Sequence, residues 1–247
     1  MRDTRLIMGM PITIEVVGGD GHAAMEAAFR YFGEVDARFS PYKAESELSV
    51  MNRGELPDEA LSSDMRAVLT LAEDTRRQTR GYFDIRRPDG EVDPSGLVKG
   101  WAIREAARVL ERNGITDFIV DAGGDIECRG TNGQGEPWRV GIRNPFHQDQ
   151  IVKVVVPGNG GVATSGHYVR GAHIYDPHTG GPAPDELASI TIIGPDVYEA
   201  DRFATAAFAM GRDGINFVEE QDGLEGYAID RHGIATMTSG FERFVAS

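Results

Sequence analysis

The order of hydrophobic patterns along the chain restricts its fold more than any other feature. Amphipathic helical periodicity predicts three helices before residue 114, over 22–39, 63–80 and 97–113. After Gly114 the pattern becomes that of short β-strands, with one further helix predicted over 197–210. Helices and strands therefore come in blocks and not in regular βαβ alternation. This order favours an α+β fold over a doubly wound parallel sheet.

Strands are predicted where apolar and β-branched residues cluster between turn residues. These ranges are 5–17, 118–121, 126–129, 138–143, 151–156, 172–175 and 189–193, with short closing strands at 227–230, 234–237 and 241–245. The ranges 40–62 and 82–96 are predicted to be loops. Because no linker and no short repeat interrupts the 247 residues, we expect a single domain over 1–247, built from two interlocked α+β subdomains.

The charge balance excludes several classes of partner. The chain has 25 basic and 39 acidic residues, a formal net charge of −14, which argues against binding nucleic acid or anionic lipid. An anionic ligand would need a local cationic site or a bound metal ion. The single cysteine, Cys128, excludes an intrachain disulfide and a cysteine-based zinc cluster. With no apolar run long enough for a signal sequence or a membrane span, we expect a soluble, cytoplasmic protein.

Two glycine-containing segments suggest contact with a ligand. In the segment 93–102, proline and glycine stand at a loop-to-helix junction, and Lys99 lies in the first turn. A lysine is unfavourable there unless a phosphate or an acid lies beside it; alternatively, Asp93 or Ser95 simply caps the helix and Lys99 is solvated. In the segment 121–126, the pair Gly123-Gly124 permits close approach of a ligand or forms an ordinary hairpin turn.

Two further segments carry hydroxyl, imidazole and carboxylate groups. Three of the six histidines lie within the range 160–180, which indicates either a site or a polar hairpin; they are His167, His173 and His178. In the helix predicted over 197–210, Asp201 and Thr205 are four residues apart and share one face. Their oxygens suit Mg²⁺. The alternative is a favourable charge near the helix start and a threonine bonded to its own helix.

Taken in order, these segments resemble the ApbE family, the FAD:protein FMN transferases. The resemblance covers nearly the whole chain, and its specificity comes from several weak motifs in the right sequence. They are Met8-Gly9-Met10, Phe39-Ser40-Pro41-Tyr42-Lys43, Ser46-Glu47-Leu48-Ser49, Gly81-Tyr82-Phe83-Asp84, Asp93 to Gly100, Gly123-Gly124-Asp125, Thr164-Ser165-Gly166, His173 to Gly180, and Asp201 with Thr205.

The resemblance implies an α+β fold whose mixed sheets and helices enclose an FAD cleft, and it assigns roles to particular residues. Those expected to contact or hold FAD are Met8, Tyr42, Tyr82, Phe83, Asp84, Asp93, Lys99 and Ile174. Mg²⁺ would be bound by the Gly96 carbonyl and the side chains of Asp201 and Thr205, and His173 would accept a proton. The partner would be an acceptor flavoprotein, whose threonine receives FMN while AMP is released.

The chain departs from the family pattern in two ways. The stretch between Asp84 and Asp93 is shorter than in many members, and from the sequence we expect the usual export and lipid-anchor signal to be missing. Two other activities remain open for the same site: hydrolysis of FAD to FMN and AMP, and FAD binding without catalysis. The identity of the acceptor, the choice between Mg²⁺ and Mn²⁺ and the oligomeric state are left open by the sequence.

Overall fold

The computed structural model describes residues 1–147, 149–166 and 175–246. Its strands are β1 Arg2–Ile7, β2 Met10–Val16, β3 Phe118–Ala122, β4 Asp125–Arg129, β5 Val140–Arg143, β6 Ile151–Val155, β7 Gly161–Gly166, β8 Leu187–Gly194, β9 Glu225–Asp230 and β10 Ala235–Met237. Eight of them form one sheet in the order β1-β2-β3-β4-β7-β8-β9-β10, and β5 pairs with β6. All of these pairs are antiparallel.

The α-helices of the described residues lie between β2 and β3 and between β8 and β9. They are α1 His22–Phe39, α2 Glu47–Asn52, α3 Ser63–Gln78, α4 Ser95–Arg112, α5 Val197–Ala209 and α6 Gly214–Glu219. The four helices predicted from periodicity are confirmed, each to within two residues at either end. Strands and helices in blocks give an α+β fold, as the order of patterns predicted.

One face of the sheet is covered by helices. Alternate residues of β2, including Ile12 and Ile14, lie in one hydrophobic cluster with the buried side chains of α1, α3 and α4. Farther along the same sheet, Ile190 and Ile192 of β8 lie in a second cluster with the alanine-rich buried face of α5. Helices α4 and α5 thus meet above the centre of the sheet, where β4 and β7 lie.

The opposite face of the sheet packs against the β5–β6 hairpin. Cys128 of β4 and Val162 of β7 share a third cluster with Trp138, Val155 and Phe241. Because successive residues of a strand point to opposite faces, β4 sends Cys128 to this apolar layer and its neighbours to the helical layer. The acidic residues of β4 therefore lie under the helices.

Three predicted elements are corrected by the structure. The strand predicted over 5–17 is a hairpin of β1 and β2, because Met8 and Gly9 both have positive φ, at 55° and 72°, and form a two-residue turn. The loop predicted over 40–62 contains α2, whose first turn is capped by the Ser46 hydroxyl at 3.0 Å from the Ser49 N–H.

The strand predicted over 241–245 is a 3₁₀ helix, Phe241–Phe244. Phe241 is fully buried in the cluster beneath the sheet, and its N–H donates to Thr238 O at 3.2 Å, which closes a turn at this point. Within the range 160–180, for which a polar hairpin was the alternative, Gly161–Gly166 is the central strand β7. The strand predicted over 172–175 falls almost entirely outside the described residues.

Candidate functional site

Two glycines bring α4 and α5 into close contact. A Cβ atom at Gly100 would lie 2.7 Å from Asp201 Cβ and 2.9 Å from Val197 O. A Cβ at Gly96 would lie 3.2 Å from Thr205 Cγ2. The main chain of α4 at Gly100 and Gly96 therefore packs directly against the side chains of Asp201 and Thr205 on α5. At Gly100 a Cβ would force a shift of α5, whereas at Gly96 it would make a tight contact; neither glycine has a positive φ angle.

The contact places two candidate oxygen ligands together, and a third, Asp201, lies one helical turn earlier on α5. Thr205 Oγ1 lies 3.5 Å from the Gly96 carbonyl oxygen, and Asp201 Oδ2 accepts a 2.8 Å hydrogen bond from the Gly100 N–H. A carboxylate, a hydroxyl and a carbonyl are the hard oxygen donors that Mg²⁺ and Mn²⁺ take. The described residues contain no cluster of three or more His, Cys, Asp or Glu side chains suited to a metal. This mixed oxygen set nevertheless fits a divalent cation that keeps part of its shell for water or phosphate.

Asp201, one of these candidate ligands, also belongs to a buried ion trio with Lys99 and Asp125. The Lys99 ammonium contacts the Asp125 carboxylate of β4 and lies 3.4 Å from Asp201 Oδ1. Burial is the main cause that raises the pKa of Asp201, the nearby Asp125 charge adds to it, and the Lys99 ammonium opposes it. The unfavourable place of Lys99 near the start of α4 is thereby explained by two acids and not by solvent.

A cleft of about 500 Å³ opens beside this contact, a size in the range of small-molecule sites. It begins at the amino-terminal end of α4, where Asp93 Oδ1 accepts the Ser95 N–H at 3.1 Å. The Leu97 and Val98 N–H groups donate to Pro94 O, so what this helix start offers a phosphate is mainly the positive end of the helix dipole. Its lining residues are Pro41, Tyr42, Tyr82, Phe83, Asp84, Arg87, Pro88, Asp93, Ser95, Gly96, Tyr175, Pro177, Gly180 and Thr205.

The segment 175–182 forms one wall of the cleft and is hydrogen-bonded to the main chain at Asp84 and Arg86. The Tyr175 hydroxyl donates to Asp84 O at 2.6 Å and lies 3.1 Å from Arg86 O. The ring of His178 meets that of Tyr82 edge-on, with 4.4 Å between ring centroids. These contacts hold the main chain around Asp84 in one place, so that the aromatic and acidic groups of the wall keep their positions.

The structure brings most of the predicted site residues together. The lining includes seven of them: Tyr42, Tyr82, Phe83, Asp84, Asp93, Gly96 and Thr205. Asp201 and Lys99 lie behind the cleft between α4 and the sheet. Met8 is not brought to the cleft: it lies in the β1–β2 turn and packs against the first hydrophobic cluster. His173 and Ile174, like His167, lie outside the described residues, so their roles remain predictions.

Two buried acids of β4 were missed as a pair by the sequence reasoning. Asp125 and Glu127 are 2% and 0% exposed, and both point toward the helices. Glu127 Oε2 accepts the Val197 N–H at 2.6 Å at the start of α5, and Asp125 contacts Lys99 of α4. The available signal was their alternation with Ile126 and Cys128 in a short strand, which puts charge on a face that helices cover.

The fold and the cleft define a class of protein: an α+β chain with a cleft at the start of one helix and a carbonyl and a hydroxyl group at its edge. The family model described as "ApbE family" matches residues 8–87 and 85–228. The chain therefore belongs to the ApbE family.

Individual relatives agree with this assignment. The FAD:protein FMN transferase of Escherichia coli K12 is 35% identical, over 72% of this chain and 54% of that protein. The enzyme of the same description from Haemophilus influenzae is 28% identical, over 88% of this chain and 81% of the relative. The chain thus spans about half the length of the Escherichia coli relative that it matches.

Solved structures show the same architecture. The flavin transferase ApbE from Vibrio cholerae superimposes with a TM-score of 0.87 at 25% identity, covering 99% of this chain and 98% of that one. The ApbE protein of Thermotoga maritima gives a TM-score of 0.88 at 21% identity, covering 100% and 99%, and supports the fold alone. Within the described residues, no helix has the length and apolar character needed to cross a membrane.

Proposed function

We propose that this chain is an FAD:protein FMN transferase, which moves FMN from FAD to a threonine hydroxyl of an acceptor flavoprotein and releases AMP. The observation that carries the proposal is the α4–α5 contact, where the Gly96 carbonyl and Thr205 Oγ1 lie 3.5 Å apart at the edge of the cleft. Asp201, one helical turn before Thr205, supplies the carboxylate. The names of the relatives supply the reaction class.

The geometry suits a pyrophosphate at the start of α4. Ser95 and Gly96 both line the cleft there, so the helix N-terminus faces the place where the phosphates would lie. A divalent cation held by Gly96 O, Asp201 and Thr205 would supply charge neutralisation at the pyrophosphate. This answers the charge problem of a −14 protein that binds an anionic substrate.

The reaction balances as a displacement at phosphorus. The threonine oxygen of the acceptor forms a bond to the phosphorus of the FMN half, and the P–O bond to the AMP half breaks. AMP leaves with that electron pair, and the hydroxyl proton passes to a base. We assign the role of this base to His173, because a neutral imidazole can accept a proton near neutral pH.

The remaining cleft residues bind and orient FAD. The aromatic rings of Tyr42, Tyr82 and Phe83 offer flat surfaces to a flavin or adenine ring. Asp93 fixes the start of α4 through its bond to the Ser95 N–H and so aims that helix end into the cleft. Positioning and charge neutralisation are the principal sources of rate in phosphoryl-type transfer.

The test is co-expression of candidate flavoproteins with and without this chain, followed by intact-mass and peptide mass spectrometry. We expect FMN attached to a threonine only when the active chain is present. Asp201→Asn removes the carboxylate and should abolish the adduct. Asp196→Asn is the matched control, since it lies on the same helix end, where its carboxylate accepts the Glu199 N–H at 2.9 Å, a bond that asparagine can also accept.

Incubation of the purified chain with FAD and Mg²⁺ separates the other activities. Rapid AMP release without an acceptor would identify a hydrolase. Tight FAD binding with no turnover under any divalent metal would identify a binding protein. Either result, together with the absence of an adduct on every candidate acceptor, contradicts the transferase proposal.

A further inference from the structure

Asp125 is a buried charged residue to which the transfer reaction assigns no role. Its side chain is 2% exposed, Oδ1 accepts the Thr164 N–H of β7 at 3.1 Å, and Oδ2 contacts the Lys99 ammonium. A carboxylate is buried at such a depth only where its partners replace lost hydration. The side chain therefore links two central strands to the first turns of α4.

Lys99 is shared between two acids. Its ammonium contacts Asp125 more closely than Asp201, whose Oδ1 lies 3.4 Å away. Asp201 Oδ2 accepts the Gly100 N–H at 2.8 Å. With both carboxylates ionised, two carboxylates and one ammonium leave the trio, which includes the proposed ligand Asp201, with one net negative charge. A divalent cation needs that charge, because an ammonium paired with Asp201 alone would cancel it.

We propose that Asp125 is a positioning residue for the metal site: it draws the Lys99 ammonium toward β4 and so leaves the Asp201 carboxylate able to bind a divalent cation. This inference rests on the proposed function, since it assumes that Asp201 is a metal ligand. Asp125 itself touches neither metal nor FAD. It acts through Lys99, as outer partners act on the ligands of other metal sites.

Four forms of the protein differ in the net charge of the trio: the wild type, two single variants and the double variant. Asp125→Asn keeps the shape and can still accept the Thr164 N–H, but it leaves Asp201 as the one carboxylate of the trio beside Lys99, so the trio becomes neutral. Adding Lys99→Met to that variant restores one net negative charge. Lys99→Met alone gives two. Affinity for Mg²⁺ should therefore be lowest in Asp125→Asn, recover in the double variant, and be at least that of the wild type in Lys99→Met.

The experiment measures Mg²⁺ affinity from the rise of Tm with Mg²⁺ concentration, in full-length protein saturated with FAD. Flavin fluorescence confirms saturation for each variant, and circular dichroism confirms the fold. Asp121→Asn is the matched control: it removes one carboxylate from the same hairpin, where Asp121 Oδ1 accepts the Gly124 N–H at 2.9 Å. We expect Asp125→Asn to bind Mg²⁺ about tenfold more weakly, and the control to change little.

The outcomes distinguish this inference from the proposed function. Weak binding by Asp125→Asn that the double variant reverses supports the positioning role, because a merely structural defect would not be rescued by removing the lysine. Unchanged affinity in Asp125→Asn, or no recovery in the double variant, overturns it while the metal site stands. If Asp125→Asn does not fold, weaker binding by Lys99→Met overturns the proposal. No Mg²⁺ binding by the wild type overturns both.

Discussion

The backbone N–H of Val197, the first residue of α5, donates a 2.6 Å hydrogen bond to the buried Glu127 carboxylate of β4. This bond ties the start of the helix that carries Asp201 and Thr205 to the centre of the sheet. Burial raises the pKa of Glu127 to about 7, and Asp196 adds to the effect. Arg129 and the Val197 N–H act in the opposite direction. The Glu127 carboxylate thus holds the start of α5 in place, and the free energy needed to keep it ionised in a buried site makes the stability of the fold depend on pH.

That dependence predicts the behaviour of Glu127→Gln. In the unfolded chain this glutamate ionises near its ordinary pKa of 4.5, and in the folded protein near 7, so the unfolded chain loses its proton first as pH rises. The free energy of unfolding contributed by this group is therefore greatest below pH 4.5 and falls as pH approaches 7. Glutamine does not titrate. Between about pH 5 and pH 8 the variant should gain about 2 kcal/mol relative to wild type.

Urea denaturation of both proteins at about pH 5 and about pH 8 measures this difference. Other titrating groups are common to both proteins and cancel in the comparison. A difference in unfolding free energy that is the same at both pH values would contradict the raised pKa.

The close approach of α4 and α5 predicts opposite effects at two helical glycines. Gly100→Ala would place Cβ 2.7 Å from Asp201 Cβ, which forces the helices apart and should lower the free energy of unfolding by about 2 kcal/mol. In α1, a Cβ at Gly33 meets nothing within 4 Å, so Gly33→Ala should raise it by about 0.5 kcal/mol. Chemical denaturation of both variants checks the pair. Equal effects of the two would show that helix propensity, and not packing, decides.

The Tyr175 hydroxyl predicts a positioning effect on FAD. Tyr175→Phe removes the donor to Asp84 O at 2.6 Å and frees the wall of the cleft near Tyr82. We expect FAD affinity, measured by flavin fluorescence, to fall about fivefold. Tyr227→Phe is the control, since Tyr227 lies in the cluster under the opposite face of the sheet. A Tyr175 variant that binds FAD as tightly as this control would remove the positioning role.

Long periodic elements could be predicted from the sequence because their burial is local in pattern. The spacing of Met25, Phe29 and Phe32 defines the buried face of α1 whatever packs on it. Short elements such as α2 and the 3₁₀ helix at Phe241 depend on one cap or one anchored ring. Such single contacts give no periodic signal, so they were assigned wrongly.

The site residues, too, could be predicted where they share one helix and could not where they come from separate elements. The pairing of Asp201 with Thr205 follows from a spacing of four residues in a helix, and the structure places Thr205 beside Gly96. The contact of Lys99 with Asp125 joins a helix to a strand, so no local pattern reveals it. Both Lys99 and Asp125 lie in motifs found in the sequence, but only the fold shows that their opposite charges form an ion pair.

The most direct test of the metal assignment is a crystal structure of this chain with FAD and Mn²⁺, using anomalous scattering to locate the ion. Mn²⁺ takes the same oxygen ligands as Mg²⁺. We expect an anomalous peak within coordination distance of the Gly96 carbonyl, the Asp201 carboxylate and the Thr205 hydroxyl, next to the pyrophosphate. A pyrophosphate bound in the cleft with no peak at these three groups, or with a peak elsewhere, would contradict this assignment.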